Sequence, residues 1–248
     1  MNKIKIGVIF GGKSTEHDVS IVSGTSVIKN LNKDKYEITP IYISSDGQWY
    51  KYTKQIEEVE ILPIGSQIEE KEKIINIEKT IKEFDVIFPV LHGVGGEDGS
   101  IQGMLELFNV PYVGCGVLAS SVGMDKVYTK IIFDKANIKQ TKYEYIKRVE
   151  DQYIYIDKNF NEERLELDNI TKKINERLTY PMFIKPSNSG SSVGITKALN
   201  IEELKKGIEY ASKFDRKVLI EQGVIGKEVE CAVLGNEEVI SSCVGEIK

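Results

Sequence analysis

Apolar positions recur along the chain in two rhythms. IKIGVIF (4–10), EITPIYIS (37–44) and FDVIFPVL (84–91) are short, largely apolar runs, the pattern of strands buried within a sheet. Between the first two, EHDVSIVSGTSVIKNL (16–31) sets Val19, Val22 and Val27 near helical spacing and predicts a helix. VPYVG (110–114) predicts a short fourth strand. Strands separated by helices imply a mainly parallel sheet, so residues 1–114 read as one α/β unit of βαβ type. The stretch from Gln55 to Lys82 is rich in Glu, Lys and Ile and predicts a surface excursion containing a helix.

A second unit begins near Cys115. MDKVYTKIIFDKAN (124–137) groups its apolar positions on one side, as a helix does, and YEYIKR (143–148) and YIYI (153–156) read as strands. PMFIK (181–185) and SVGITKA (192–198) flank a small polar, glycine-containing turn, which predicts a hairpin. Asn200 with Glu203 three residues later forms a capping box, and Ile201, Leu204, Ile208 and Ala211 supply the buried stripe of the helix that follows. KVLIEQGV (217–224), KEVECAVLG (227–235) and EVISSCVGEI (238–247) are strand-like again. No internal repeat and no low-complexity linker interrupts the order.

Composition narrows the function classes. The 248 residues are 41% hydrophobic and 29% charged, enough for a real core in one or two domains. A net charge of −5 gives no support for a nucleic-acid surface. No apolar run approaches the ~18 residues that span a membrane, and the short apolar stretch near the N-terminus leads into glycines and charges where a signal peptide would have a small-residue cleavage site. Cys115, Cys231 and Cys243 are odd in number and lack metal-ligand spacing; they read as reduced, partly buried thiols of a cytoplasmic protein.

The candidate chemistry lies at strand ends. HGVGGEDGSIQG (92–103) follows a buried strand, holds five glycines, and carries His92, Glu97 and Asp98. A polar glycine-rich loop in that position is where open α/β sheets bind ligands; the alternative is a solvent-exposed turn, and a lone His is often a hydrogen-bonded structural residue. Gly7-x-x-x-x-Gly12-Lys13-Ser14 formally satisfies the P-loop pattern, but Val8, Ile9 and Phe10 are strand-core residues. The better reading is a glycine turn that opens into a helix start. Glu16 stands there either as a cap favoured by the helix dipole or as an acceptor for a substrate ammonium. Lys185 ends an apolar strand directly before SNSGSSVG (187–194), whose hydroxyls and bare N–H groups suit phosphate oxygens; the alternative is a flexible hairpin tip. Glu221 ends the strand KVLIE, and a turn separates it from Glu228.

Four of these segments, IGVIFGGKSTEHDVSIVSG (6–24), the HGVGGEDG loop with Gln102-Gly103, MDKVYTK (124–130) and IKPSNSGSSVGI (184–195), resemble in the same order the signatures of the D-alanine–D-alanine ligases of the ATP-grasp superfamily. The resemblance spans the chain from residue 1 and implies a Rossmann-like parallel-sheet substrate-binding domain over 1–114, an α+β ATP-grasp lid subdomain over 115–220, and the start of a further ATP-grasp subdomain over 221–248. It implies ligation of two D-alanines through an acyl phosphate, with ATP and Mg²⁺, for peptidoglycan synthesis. Residue by residue it implies that Glu16 holds the ammonium of the first D-alanine, that His92 lies near the acyl-phosphate side, and that Ser191 orients Glu16 by hydrogen bonding. Lys126 and Lys185 would neutralise phosphate, loop residues including Ser192 would cover it, Glu221 and the backbone of Gln222 and Val224 would meet adenine, and Glu228 would hold the ribose.

Metal ligands and a closing loop belong to a section of the family beyond the last residue, Lys248, which implies that this chain alone is inactive. The family tends to dimerise through its first domain, which implies a homodimer. Two readings stand beside this one: a non-catalytic nucleotide- or D-amino-acid-binding fragment, and a ligase whose second substrate is D-serine or D-lactate.

Overall fold

The computed structural model describes residues 2–52, 72–190 and 192–247. In the first unit, β1 (Ile4–Gly11) lies between β2 (Tyr36–Ile43) and, on its other side, β4 (Val86–Pro89), parallel to both; β3 (Trp49–Lys51) adds antiparallel to β2. Side chains alternate across a strand, and β1 shows what that does here. Val8 and Phe10 pack with Ile21 and Ile28 of α1 (His17–Asn30), while Ile9 packs with Ile81 of α2 (Ile77–Ile81) and with Ile101 and Leu105 of α3 (Ser100–Phe108). The sheet is therefore covered on both faces, as the near-continuous apolar runs predict. VPYVG contributes only a bridge between Ile87 and Tyr112. Of the predicted surface excursion, residues 53–71 lie outside the described residues.

The face that α1 buries differs from the valine stripe. Val19 and Val22 are exposed, and the buried residues are His17, Ser20, Ile21, Gly24, Thr25 and Ile28. The helix lies so close to β1 that a Cβ at Gly24 would stand 2.6 Å from Phe10 Cβ. Small residues set that approach, and Ser20 joins it by donating to Val90 O and accepting from Gly11 N.

A second, six-stranded antiparallel-paired sheet runs β7-β6-β5-β10-β8-β9. Its strands are β5 (Tyr143–Val149), β6 (Gln152–Ile156), β7 (Glu162–Leu165), β8 (Met182–Pro186), β9 (Thr196–Ala198) and β10 (Lys217–Gln222). α6 (Leu167–Asn175) and α7 (Ile201–Ala211) cover one face through Ile170, Ile174, Leu204 and Ile208. α5 (Lys126–Lys135) meets the other through Val127, against Tyr145 and Leu219. The capping box forms, with Asn200 accepting from Glu203 N. The helix predicted over 124–137 is α5, which starts two residues later because the extended Asp125 caps it through Tyr128 N and separates it from α4 (Val117–Met124), a helix the pattern did not predict. The strand predicted over 192–198 shrinks to β9, since Ser192 and Gly194 have φ of 60° and 78°.

After Gln222 the chain forms only two-residue ladders, β11 (Val229–Glu230) with β14 (Gly245–Glu246), and β12 (Val233–Leu234) with β13 (Ile240–Ser241). The described residues from 224 on are exposed. All three cysteines are free and exposed, where partial burial was expected.

Candidate functional site

Two loops meet at the C-terminal ends of β1 and β4, where the strand order reverses and open sheets form a crevice. Ser14 Oγ donates to His92 O at 2.6 Å and accepts from Glu16 N at 3.1 Å, tying one loop to the other. Most polar groups of the second loop hold the loop itself. Glu97 accepts from Gly93 N, Asp98 from Gly95 N and Ser100 N, and Gln102 donates to Gly96 O. His92 Nε2 is 3.0 Å from Ser23 Oγ, and its Nδ1 is 3.7 Å from Glu97 Oε1. Glu16 is the N-cap residue of α1 by position, yet its side chain makes no capping bond. Its carboxylate occupies the space that a Cβ at Gly93 or at Gly190 would need. Gly190 belongs to the loop 187–194, so that loop of the second unit closes over the acid of the first.

The base of the same loop is locked by a buried polar network. Asp125 accepts from Ser187 Oγ, from Asn188 Nδ2 at 3.3 Å and from Lys217 Nζ. Asp215 accepts from Asn188 N at 2.8 Å. Lys126 N donates to Ser187 O, and Lys126 Nζ reaches Ser189 O. Burial, and after it the neighbouring Lys185 charge, press the Lys126 ammonium below the ordinary lysine range.

Lys126 and Lys185 share a cavity of about 360 Å³ with Lys130, Gln140 and Glu221, walled on its apolar side by Phe133, Ile138 and Leu219. Glu221 Oε1 accepts from Lys130 Nζ at 2.7 Å and Thr141 Oγ1 at 2.9 Å; its Oε2 accepts from Lys185 Nζ at 2.6 Å. Burial by itself would raise the Glu221 carboxyl, but the two lysines outweigh it and hold it below the ordinary glutamate range. One carboxylate among four lysines, the exposed Lys139 being the fourth, leaves the cavity cationic, with apolar surface beside it. That combination suits a ligand having a polyanionic end and a planar apolar end.

Of the sequence-predicted residues, Lys126, Lys185 and Glu221 come together here, Glu16 meets the 187–194 loop at Gly190, and His92 stays with its own loop and α1. Ser192 is exposed on that loop, and Ser191 lies outside the described residues. Gln222 turns its Oε1 to Thr179 N, Val224 is 71% exposed, and Glu228 is exposed with its carbonyl accepting from Ile247 N; none of the three lines the lysine cavity. Sequence reasoning passed over Lys130 and Asp125. Lys130 had a signal: it lies one helical turn after Lys126, and residues four apart share a helix face.

Comparison with known proteins adds a pattern of likeness. Family models described as D-ala D-ala ligase N-terminus and C-terminus match residues 5–115 and 149–248. The D-alanine–D-alanine ligase of Acetivibrio thermocellus is 47% identical over 99% of this chain and 69% of its own length, and that of Clostridium acetobutylicum is 46% identical over 99% and 68%. Among solved structures, the VanG D-Ala:D-Ser ligase of Enterococcus faecalis superposes with a TM-score of 0.81 at 37% identity, covering 100% of this chain and 70% of that one. The D-alanine–D-alanine ligase of Coxiella burnetii gives 0.80 at 29% identity, covering 99% and 71%.

Proposed function

The chain belongs to the D-alanine–D-alanine ligase family, whose members are ATP-dependent ligases, and from that premise we propose how its residues divide the work. Joining a carboxylate to an amine is uphill in water, so the carboxylate must first be activated. In this reading Glu16 receives the ammonium of the first D-alanine, His92 stands beside it, and Ser191 belongs to the same group. The loop 187–194 covers the triphosphate of ATP with its N–H groups and with Ser192, and Lys126 and Lys185 offset the phosphate charge. Transfer of the terminal phosphoryl group to the D-alanine carboxylate makes an acyl phosphate, which the amine of a second D-alanine attacks, releasing phosphate. Such transfer asks the protein for position and charge neutralisation.

The observation that carries the reading is the shared loop. One segment touches the substrate acid through Gly190 and the phosphate-side lysine through Ser189, so both reactants would lie against a single wall. We read 1–114 as the substrate-binding unit, 115–220 as the lid and 221–248 as the start of a third, with Glu221, Gln222, Val224 and Glu228 on the base and ribose side. D-Alanine as the second substrate is supported by curated relatives of that name at 46–47% identity. A cytoplasmic, homodimeric protein acting in peptidoglycan synthesis completes the proposal; no helix among the described residues is long and apolar enough to cross a membrane. The family also implies Mg²⁺. Among the described residues no three acidic, His or Cys side chains gather to hold a metal ion.

Titration with a fluorescent ATP analogue tests the nucleotide half. Lys185→Ala is expected to weaken binding by about 1.5–3 kcal/mol, the worth of a charge-assisted contact. Lys13→Ala is expected to leave it unchanged, since Lys13 follows a strand-end turn. A large loss from Lys13→Ala alone would restore the P-loop alternative.

A further inference from the structure

Apart from the exposed Lys139, the lysines of the cavity are not equivalent. An ammonium has three N–H donors, and Lys130 has an acceptor for each: Glu221 Oε1 at 2.7 Å, Thr141 Oγ1 at 3.1 Å and Gln140 Oε1 at 3.4 Å. Its side chain is 13% exposed. Lys185 is 28% exposed and meets one acceptor among the described residues, Glu221 Oε2. Lys126 donates to Ser189 O. Lys130 thus has no donor left for an incoming anion, whereas Lys185 and Lys126 do.

We propose that Lys130 is a positioning residue: by engaging one oxygen of Glu221, it prevents that carboxylate from pairing wholly with Lys185, which keeps its charge for an anion of the phosphate class. The identity of that anion rests on the nucleotide reading above; the clasp itself does not. Glu221 carries one negative charge, shared between two cations on opposite oxygens. Without Lys130, the partner left to Oε1 among the described residues is the Thr141 hydroxyl, and the carboxylate turns both oxygens toward Lys185. Gln140 also donates to Lys130 O and to Asp134 Oδ1, so the segment that completes the Lys130 shell is itself pinned to α5.

The test measures the rate at which acetic anhydride acetylates Lys185 in the full chain without ligand, by peptide mass spectrometry, with exposed Lys13 as internal reference. Lys130→Met is expected to slow Lys185 labelling severalfold, and Lys130→Met with Glu221→Gln to return it to the parental rate or above. Glu221→Gln alone is expected to speed it, an arm that does not depend on how Lys130→Met folds. A purely structural Lys130 would loosen the cavity and make Lys185 more reactive in Lys130→Met, and that result, or an unchanged rate in Glu221→Gln, overturns the proposal. Affinity for ATP and for inorganic triphosphate is read in parallel. Lys130→Met is expected to lose about tenfold, the size of one charge-assisted contact, and the double variant to recover most of it. If labelling behaves as expected but Lys185→Ala binds both anions like the parent, the clasp stands and the nucleotide reading falls. If Lys185→Ala weakens binding while Lys185 labelling ignores Lys130, the clasp falls alone.

Discussion

Glu16 shows why two particular glycines stand where they do. Any Cβ at Gly93 or Gly190 would contest the space of its carboxylate. At Gly190 the obstacle is the far end of a flexible side chain, so Gly190→Ala is expected to change stability by no more than about 0.5 kcal/mol while displacing the carboxylate and weakening D-alanine binding. Thermal melting beside D-alanine calorimetry separates the two effects. Glu16→Gln should give the same split, because the side chain does not cap α1; a collapsed melting temperature with intact D-alanine affinity would return Glu16 to a structural role. Asp125 is the opposite case. It is paired with Lys217 where their side chains are only 10% and 16% exposed, so Asp125→Ala leaves a cation stranded and should cost about 3 kcal/mol in a urea titration.

Acid should act on the same groups. Burial tends to raise the Asp125 and Glu221 carboxyls, but hydrogen bonds from lysines and hydroxyls prevail and hold both below their ordinary range. A depressed folded-state value gives a contribution that is complete at neutral pH and is lost as pH falls through and below that range. The urea midpoint of the second unit is therefore expected to drop below about pH 4, and to drop less in Glu221→Gln. Residues at strand ends were readable from sequence for a simple reason: a Lys or Glu that closes an apolar run, as Lys185 and Glu221 do, sits at a sheet margin. That these two share an ion pair is a fact of strand order, β8 beside β10, which no local pattern encodes.

Among the elements, those whose apolar period matched their burial were legible, α7 and β1 foremost. α1 was legible as a helix, but its inward face was legible only at Val27, because Val19 and Val22 point to solvent and the closest contact uses Ser20, Gly24 and Thr25. Hydrophobicity ranks those residues low, while close approach needs them small. Gly24→Ala should accordingly destabilise the first unit by about 1–3 kcal/mol through overpacking against Phe10, and Val22→Ala should fall within about 0.5 kcal/mol of the parent. Chemical denaturation followed by Trp49 fluorescence, in the same unit, would measure both. The region 227–247 reads as two strands because its composition is β-prone, but strands gain most of their stability from neighbours and from a covered face. Here each ladder is two residues long, with Val233, Leu234, Ile240 and Val244 exposed.

At the scale of the whole molecule, that exposed apolar hairpin is expected to make the chain associate as its concentration rises. Light scattering across a dilution series would show it, and Ile240→Lys should reduce it without altering the melting of either sheet. The wider architecture has a consequence for exchange between relatives. The acid at 16 and the glycine at 190 are far apart in sequence but in contact in space, so they behave as one inherited unit. A chimera that takes its first domain from one family member and its lid from another is expected to keep that seam where the acid at 16 from one parent meets a glycine at 190 from the other.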